Sequence, residues 1–179
     1  MKAHTIVYSH YSVTGTTLIE LMVVIAITAI LLSIALFNFH DWQLSNRRTN
    51  YMQTLHRQLL AARAYAVYHN QYVRVCPHSA QQCTNSWQQD IMVFVDENND
   101  GQRNNTEQVL HVLPAPSDGD NINYPRSGFS FKTTGSLSGF NNGSFVYCSV
   151  AAKLNQPAIR LTVSPSGRVR WREDSDNCD

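Results

Sequence analysis

After Phe37 the sequence has no second long apolar run, which excludes a chain that crosses a bilayer repeatedly. No serine or cysteine stands in a recognisable nucleophile motif. The histidines are scattered: His56 and His69 on an expected helix, His78 in a short cysteine loop, His111 in an expected strand. Neither an enzyme nor a cofactor is therefore expected. None of the four cysteines has the two-residue spacing of common zinc pairs. Ahead of the apolar run, Met1 to Thr14 carries only Lys2 as a fixed positive side chain. A secretory signal peptide would join a basic region to about 7–15 apolar residues and a small-residue cleavage site. Internal repeats and low-complexity segments are absent, and Ser117–Arg126 reads as a polar loop.

What the chain does have is one apolar run from Leu18 to Phe37, long enough for a membrane helix of about 20 residues. The remaining residues, about 140, suit one globular domain. Within "GTTLIELMVVIAI", Glu20 is the third residue of the run and its only charge. A carboxylate in an apolar helix is costly and marks a functional partner, most simply a cation on another chain.

These residues resemble the type IV pilin family, whose members carry a leader ending in Gly, a prepilin peptidase cut and a Phe-Thr-Leu-Ile-Glu pattern opening an apolar helix. Gly15 would end the leader and Thr16 would become the new N-terminus, standing where the family usually has Phe. Thr17-Leu18-Ile19-Glu20 match the pattern. The resemblance implies that Glu20 pairs with the free amine of a neighbouring pilin subunit. It also implies an inner-membrane precursor that later enters a fibre. Three segments result: a leader over 1–15, a hydrophobic assembly helix over 16–45 and a soluble head over 46–179.

Four cysteines in a small domain behind a membrane-directing segment read as two disulfides in an oxidising compartment. Arg47 and Arg48 oppose this, since they outnumber Lys2 and by the positive-inside tendency would hold the head in the cytoplasm; the cysteines set the expectation. Three pairings are open, of which local spacing favours Cys76–Cys83 with Cys148–Cys178.

Beyond the apolar run, Met52, Leu55, Leu59, Ala62 and Ala66 recur at helical spacing, with Gln53, Arg47, Arg57 and Arg63 mostly elsewhere. The spacing predicts a helix from Thr16 to about His69, on the order of 80 Å at 1.5 Å per residue. Strand patterns come next at 72–76, 91–95, 109–113, 128–131, 144–150, 158–163 and 168–172. The fold class is α+β, a long helix packed on an antiparallel head.

The stretch from Trp87 to Leu113, with its Trp, apolar strand, Asp/Asn/Gly-rich loop, glutamate and second strand, resembles the GspH/FimT branch of minor pilins and pseudopilins. The terminal Gly167-Arg168-Val169-Arg170 resembles its FimT-type members, which implies a role in DNA uptake for natural transformation. In the same stretch, Asp96, Asn98, Asp100, Gly101 and Glu107 fit the calcium-loop pattern D-x-N-x-D-G-x5-E. Strand patterns flank the loop where an EF-hand needs helices, so a long hairpin connection is expected instead.

The last two strands carry the sharper chemistry. A three-residue loop, Pro165-Ser166-Gly167, would pair Val163 with Val169 and Leu161 with Trp171. Arg160, Arg168, Arg170 and Arg172 would then share the outward face, same-strand neighbours standing roughly 6.7 Å apart. Between Asn121 and Arg172 lie seven positive residues, Lys153 among them, and no acid; between Asp90 and Asp120 lie seven acids against Arg103 alone. Such separation makes a local anion-binding patch that the net charge of +1 conceals. DNA, held by its phosphates without sequence preference, is the expected partner. The bland alternative is a solvated strand face, neutralised by Glu173, Asp174, Asp176 and Asp179 close behind.

Overall fold

A computed structural model describes residues 15–149 and 158–174. The leader before Gly15, Lys153 and Cys178 lie outside the described residues. The chain divides into two compact units between His40 and Asp41, and one helix, α1 (Leu18–His69), is assigned across that point.

In the first unit Thr17 caps α1. Its Oγ1 accepts the Glu20 N–H at 3.3 Å and its carbonyl accepts the Leu21 N–H at 3.2 Å. Glu20 is exposed in the first turn, where a carboxylate complements the positive end of the helix dipole. Thr28 Oγ1 donates to the Val24 carbonyl at 2.9 Å and Ser33 Oγ to the Ile30 carbonyl at 2.7 Å, so these polar groups return bonds to their own helix. Among the described residues no helix is long and apolar enough to cross a membrane. The expected span, Leu18–Phe37, extends past Ser33, the last of its residues with a described side chain.

The second unit is built around the predicted stripe: Met52, Leu55, Leu59, Ala62 and Ala66 are all completely buried. The helix stops because Asn70 adopts a left-handed φ of 54° and the Gln71 N–H reaches back to the Ala66 carbonyl at 3.2 Å, a Schellman closure. Among the described residues nine strands come after it: β1 (Val73–Ser79), β2 (Gln82–Cys83), β3 (Asp90–Val95), β4 (Val109–Leu113), β5 (Asp120–Asn123), β6 (Phe129–Phe131), β7 (Gly143–Ser149), β8 (Ala158–Val163) and β9 (Val169–Asp174). One antiparallel sheet runs β2-β1-β3-β4 with β6 also on β1; the other runs β5-β7-β8-β9. Their inner faces share one core with the helical stripe. Trp87 and Tyr124 meet Phe145 with ring centroids 4.9 and 4.4 Å apart, and the Trp87 indole N–H donates to the Arg126 carbonyl at 2.7 Å.

Two departures from expectation have local causes. β5 lies inside the expected polar loop Ser117–Arg126; only Ile122 of its four residues is apolar, so alternation gave no signal. Pairing with β7 forms it, hiding Ile122 under the core and turning Asp120 inward. Asp120 Oδ2 there meets Arg47 at 2.7 Å and accepts the Tyr147 hydroxyl at 2.7 Å. Arg47, expected to flank a membrane span, is thus an ion-pair partner inside the head, and Arg48 beside it is buried.

Cys76 and Cys83 form a disulfide across the β1–β2 turn, and Cys148 is disulfide-bonded as well. Closing so short a loop removes unfolded-chain entropy worth about 2–3 kcal/mol. The Cys76→Ala/Cys83→Ala double variant should lose about that much in urea unfolding, with its midpoint lowered. Burial raises the phenol pKa values of Tyr51, Tyr124 and Tyr147, reinforced by Asp90 near Tyr51 and by the Asp120 hydrogen bond at Tyr147. The native state then keeps phenolic protons that the unfolded chain releases near pH ~10, so stability is whole below that pH and falls above it. An absorbance titration should show tyrosines that ionise only as the protein unfolds; if all ionise in the folded state near pH ~10, burial does not govern them.

Candidate nucleic-acid interface

The hairpin adopts the expected register, with Val163 opposite Val169 and Leu161 opposite Trp171. Ser164 and Arg168 close it through Ser164 N–H to the Arg168 carbonyl at 3.0 Å, leaving Pro165-Ser166-Gly167 as the loop. Gly167 has a φ of 74°, and a Cβ there would collide with the Gly135 carbonyl oxygen. Arg63 of α1 grips the same place, its Nε donating to the Gly135 carbonyl at 2.9 Å and its NH2 to the Ser166 carbonyl at 3.4 Å. The Leu137 N–H adds a bond to the Pro165 carbonyl at 2.9 Å. Arg63, expected on a solvated face, instead pins the tip of the arginine hairpin.

On β9 the inward residue Val169 is 8% exposed and Trp171 half-buried, while Arg170 and Arg172 of β9 and Arg168 just before it are exposed at alternate positions. Among the described residues, none pairs with their guanidinium groups. Arg160 stands opposite Arg172 but is half-buried and has a partner of its own, so the ladder is Arg168 at the hairpin turn with Arg170 and Arg172 of β9. Thr162 lies opposite Arg170, and its hydroxyl meets that of Ser144 on β7 at 2.8 Å. These two hydroxyls extend the donor face across three strands. Sequence reading passed over them, although their alternation with buried Leu161, Val163 and Phe145 carried the signal.

Five of the seven acids between Asp90 and Asp120 are engaged elsewhere. Asp90 accepts the Ala115 N–H at 2.9 Å, and Asp120 is held by Arg47 and Tyr147. In the loop between β3 and β4, Asp96 is 1% exposed and accepts the N–H groups of Asp100 and Gly101, both at 3.1 Å. Asn98 Oδ1 accepts the Asp100 N–H at 3.2 Å, Asp100 Oδ1 the Gln102 N–H at 2.7 Å. Glu107 accepts from Glu97 N–H at 3.0 Å and Asn104 N–H at 2.9 Å. The calcium-like spacing thus serves to cap the loop's own backbone, with Asn99 and Gly101 at positive φ as such a hairpin requires. Burial raises the Asp96 pKa, and the Gly101 hydrogen bond and the Arg74 charge oppose it. Among the described residues no group of three or more His, Cys, Asp or Glu could hold a metal ion.

The chain matches the family model described as "Type II transport protein GspH" over residues 52–167. That match ends at Gly167, immediately before the arginine ladder. Among curated proteins none matches this sequence. Among solved structures it is similar to the type IV minor pilin FimU of Pseudomonas aeruginosa, at 14% identity and a TM-score of 0.54 over 74% of this chain and 92% of that one. It is also similar to the minor pseudopilin EpsH of the Vibrio cholerae type II secretion system, at 9% identity and a TM-score of 0.54 over 73% of this chain and 96% of that one. At such identities the likeness is one of fold.

Because Gly167 combines a left-handed φ with a close backbone approach, Gly167→Ala should cost about 1–3 kcal/mol in denaturant unfolding. Faster amide exchange should be confined to β8, β9 and residues 135–137. Unchanged stability would mean that the tip does not depend on this approach.

Proposed function

Because the chain belongs to the GspH family of type IV pilin-like proteins, we propose that it is a minor pilin whose arginine hairpin holds DNA without sequence preference during DNA uptake. The observation that carries this reading is the exposed ladder of Arg168, Arg170 and Arg172, which has no acidic partner among the described residues. Arginine forks bond phosphate oxygens bidentately, and a roughly 6.7 Å repeat along a strand suits successive phosphates. Lys153 and Arg160 add positive charge to the same part of the sequence.

In this reading prepilin peptidase cuts between Gly15 and Thr16, Glu20 meets the new N-terminal amine of a neighbouring subunit, and the apolar helix rests in the inner membrane before assembly. The disulfide-bonded head faces the periplasm and then the fibre surface. A second reading is a structural minor pilin or secretion pseudopilin that primes assembly without binding DNA, favoured by the match to the type II transport protein. Assembly uses Glu20 and the helix, whereas it has no evident use for an exposed arginine ladder.

The two readings separate in a mobility shift with duplex DNA, comparing the detergent-solubilised chain with its Arg168→Gln/Arg170→Gln variant across a salt series. Each phosphate contact contributes about 0.9 to the slope of log affinity against log salt, so the variant should bind much more weakly with a slope reduced by about 2. Equal binding by a folded variant would remove the hairpin from the site. No binding by the unaltered chain would leave the structural subunit.

A further inference from the structure

The outward face of the second sheet, which carries the arginine ladder, is not open along its whole length. Ser144, Val146 and Cys148 on β7 and Arg160 and Thr162 on β8 are partly exposed, alternating with buried Phe145, Tyr147, Ile159 and Leu161. Ala158 has the same parity as Arg160 and Thr162, yet it is only 1% exposed. Part of the protein therefore covers this face at its Ala158 end.

The disulfides indicate which part. Cys148 is disulfide-bonded, Cys76 and Cys83 bond each other, and Cys178 is the cysteine that the sequence leaves for Cys148. Tyr147 pairs with Ile159, so Cys148 stands level with Ala158, and Ala158 pairs in turn with Asp174, the last residue of β9. A chain that leaves β9 at Asp174 has four residues in which to return to β7 in the same row. Neighbouring strands lie about 4.8 Å apart, so the crossing is about 10 Å, and four extended residues reach about 13 Å. That length suits a direct path over Ala158. A bond to Cys148, whose side chain is outward, keeps the path on the arginine side of the sheet.

Charge points the same way. Arg160 and Arg172 stand directly opposite each other, and like charges so placed destabilise a strand pair. Asp120, an acid of the same sheet, is held by Arg47 and Tyr147, whereas Arg160 has a partner of its own. Asp176 is midway between Asp174 and Cys178 in the sequence, so a crossing over Ala158 brings it to the row beside the Arg160–Arg172 pair. We propose that residues 175–179, which lie outside the described residues, form an acidic strap fastened by a Cys148–Cys178 disulfide. The strap docks across β8, sets the Asp176 carboxylate against Arg160 and Arg172, and competes with phosphate for that end of the ladder. Arg168 and Arg170 stay open. The competition rests on the DNA reading of the hairpin, but the docking does not.

The test uses the detergent-solubilised full chain with two variants. Asp176→Asn removes one charge and keeps the bond, while Cys148→Ser/Cys178→Ser unfastens the strap. Non-reducing peptide mapping should recover Cys148 joined to Cys178, and the Nε–H NMR signals of Arg160 and Arg172 should shift in both variants. In a mobility shift at low salt, both variants should hold duplex DNA about two- to fivefold more tightly than the unaltered chain. Cys148 joined to a second copy, or arginine signals unchanged in either variant, overturns the strap. Shifted signals beside an unchanged DNA affinity overturn the competition. Shifted signals with no DNA bound by any of the three chains support the docked strap and overturn the hairpin reading instead.

Discussion

Everything in the head leans on one constraint, the burial of the helical stripe Met52, Leu55, Leu59, Ala62 and Ala66. Two sheets need a common surface on which to lay their inner faces, and this stripe supplies it, so that Val73, Val93, Phe145 and Leu161 enter one core instead of two. Small residues at 62 and 66 let the strands approach closely, and the larger Met52, Leu55 and Leu59 fill the remaining volume. Along the same helix, Arg47 reaches Asp120 under β5 while Arg63 reaches the carbonyls at the hairpin tip. Packing of the stripe therefore fixes where those two guanidinium groups can act.

The arginine ladder is a product of that arrangement. Register alone gives alternation, but alternation becomes an exposed row only because the opposite face of β8 and β9 is committed to the core. Arg63 and the Gly135–Gly167 approach then hold the turn from which the row begins. The segregation of charge along the sequence has a structural counterpart. Asp90, Asp96, Asp100 and Glu107 accept loop N–H groups and Asp120 closes an ion pair with Arg47, whereas Arg168, Arg170 and Arg172 are left to solvent. Next to Arg170 that face also carries the hydroxyls of Thr162 and Ser144.

Much of this was legible because period and spacing are local properties. The helical stripe, seven of the nine strands and the hairpin register follow from alternation and from Pro and Gly at fixed offsets. β5 was not legible, since one isoleucine among Asp and Asn residues has no period until β7 pairs with it. Nor was Arg63, whose position on the helix looks solvated until the turn at Gly135 folds against it. The loop from Asp96 to Glu107 forms the expected hairpin connection between β3 and β4. Its spacing matches a calcium site at every position, yet its carboxylates are oriented by neighbouring backbone N–H groups, a matter of loop conformation that spacing does not encode.

By itself the sequence determined the α+β plan, an apolar helix with Glu20 near its start, and the face on which the arginines fall. Each of these depends on residues within a turn or a hairpin of one another. Tertiary structure alone decided that Arg47 and Arg63 are structural cations and that Arg160 is withdrawn from the free ladder. Those outcomes join residues tens of positions apart, and only the packing of two sheets on one helix brings them within hydrogen-bonding reach.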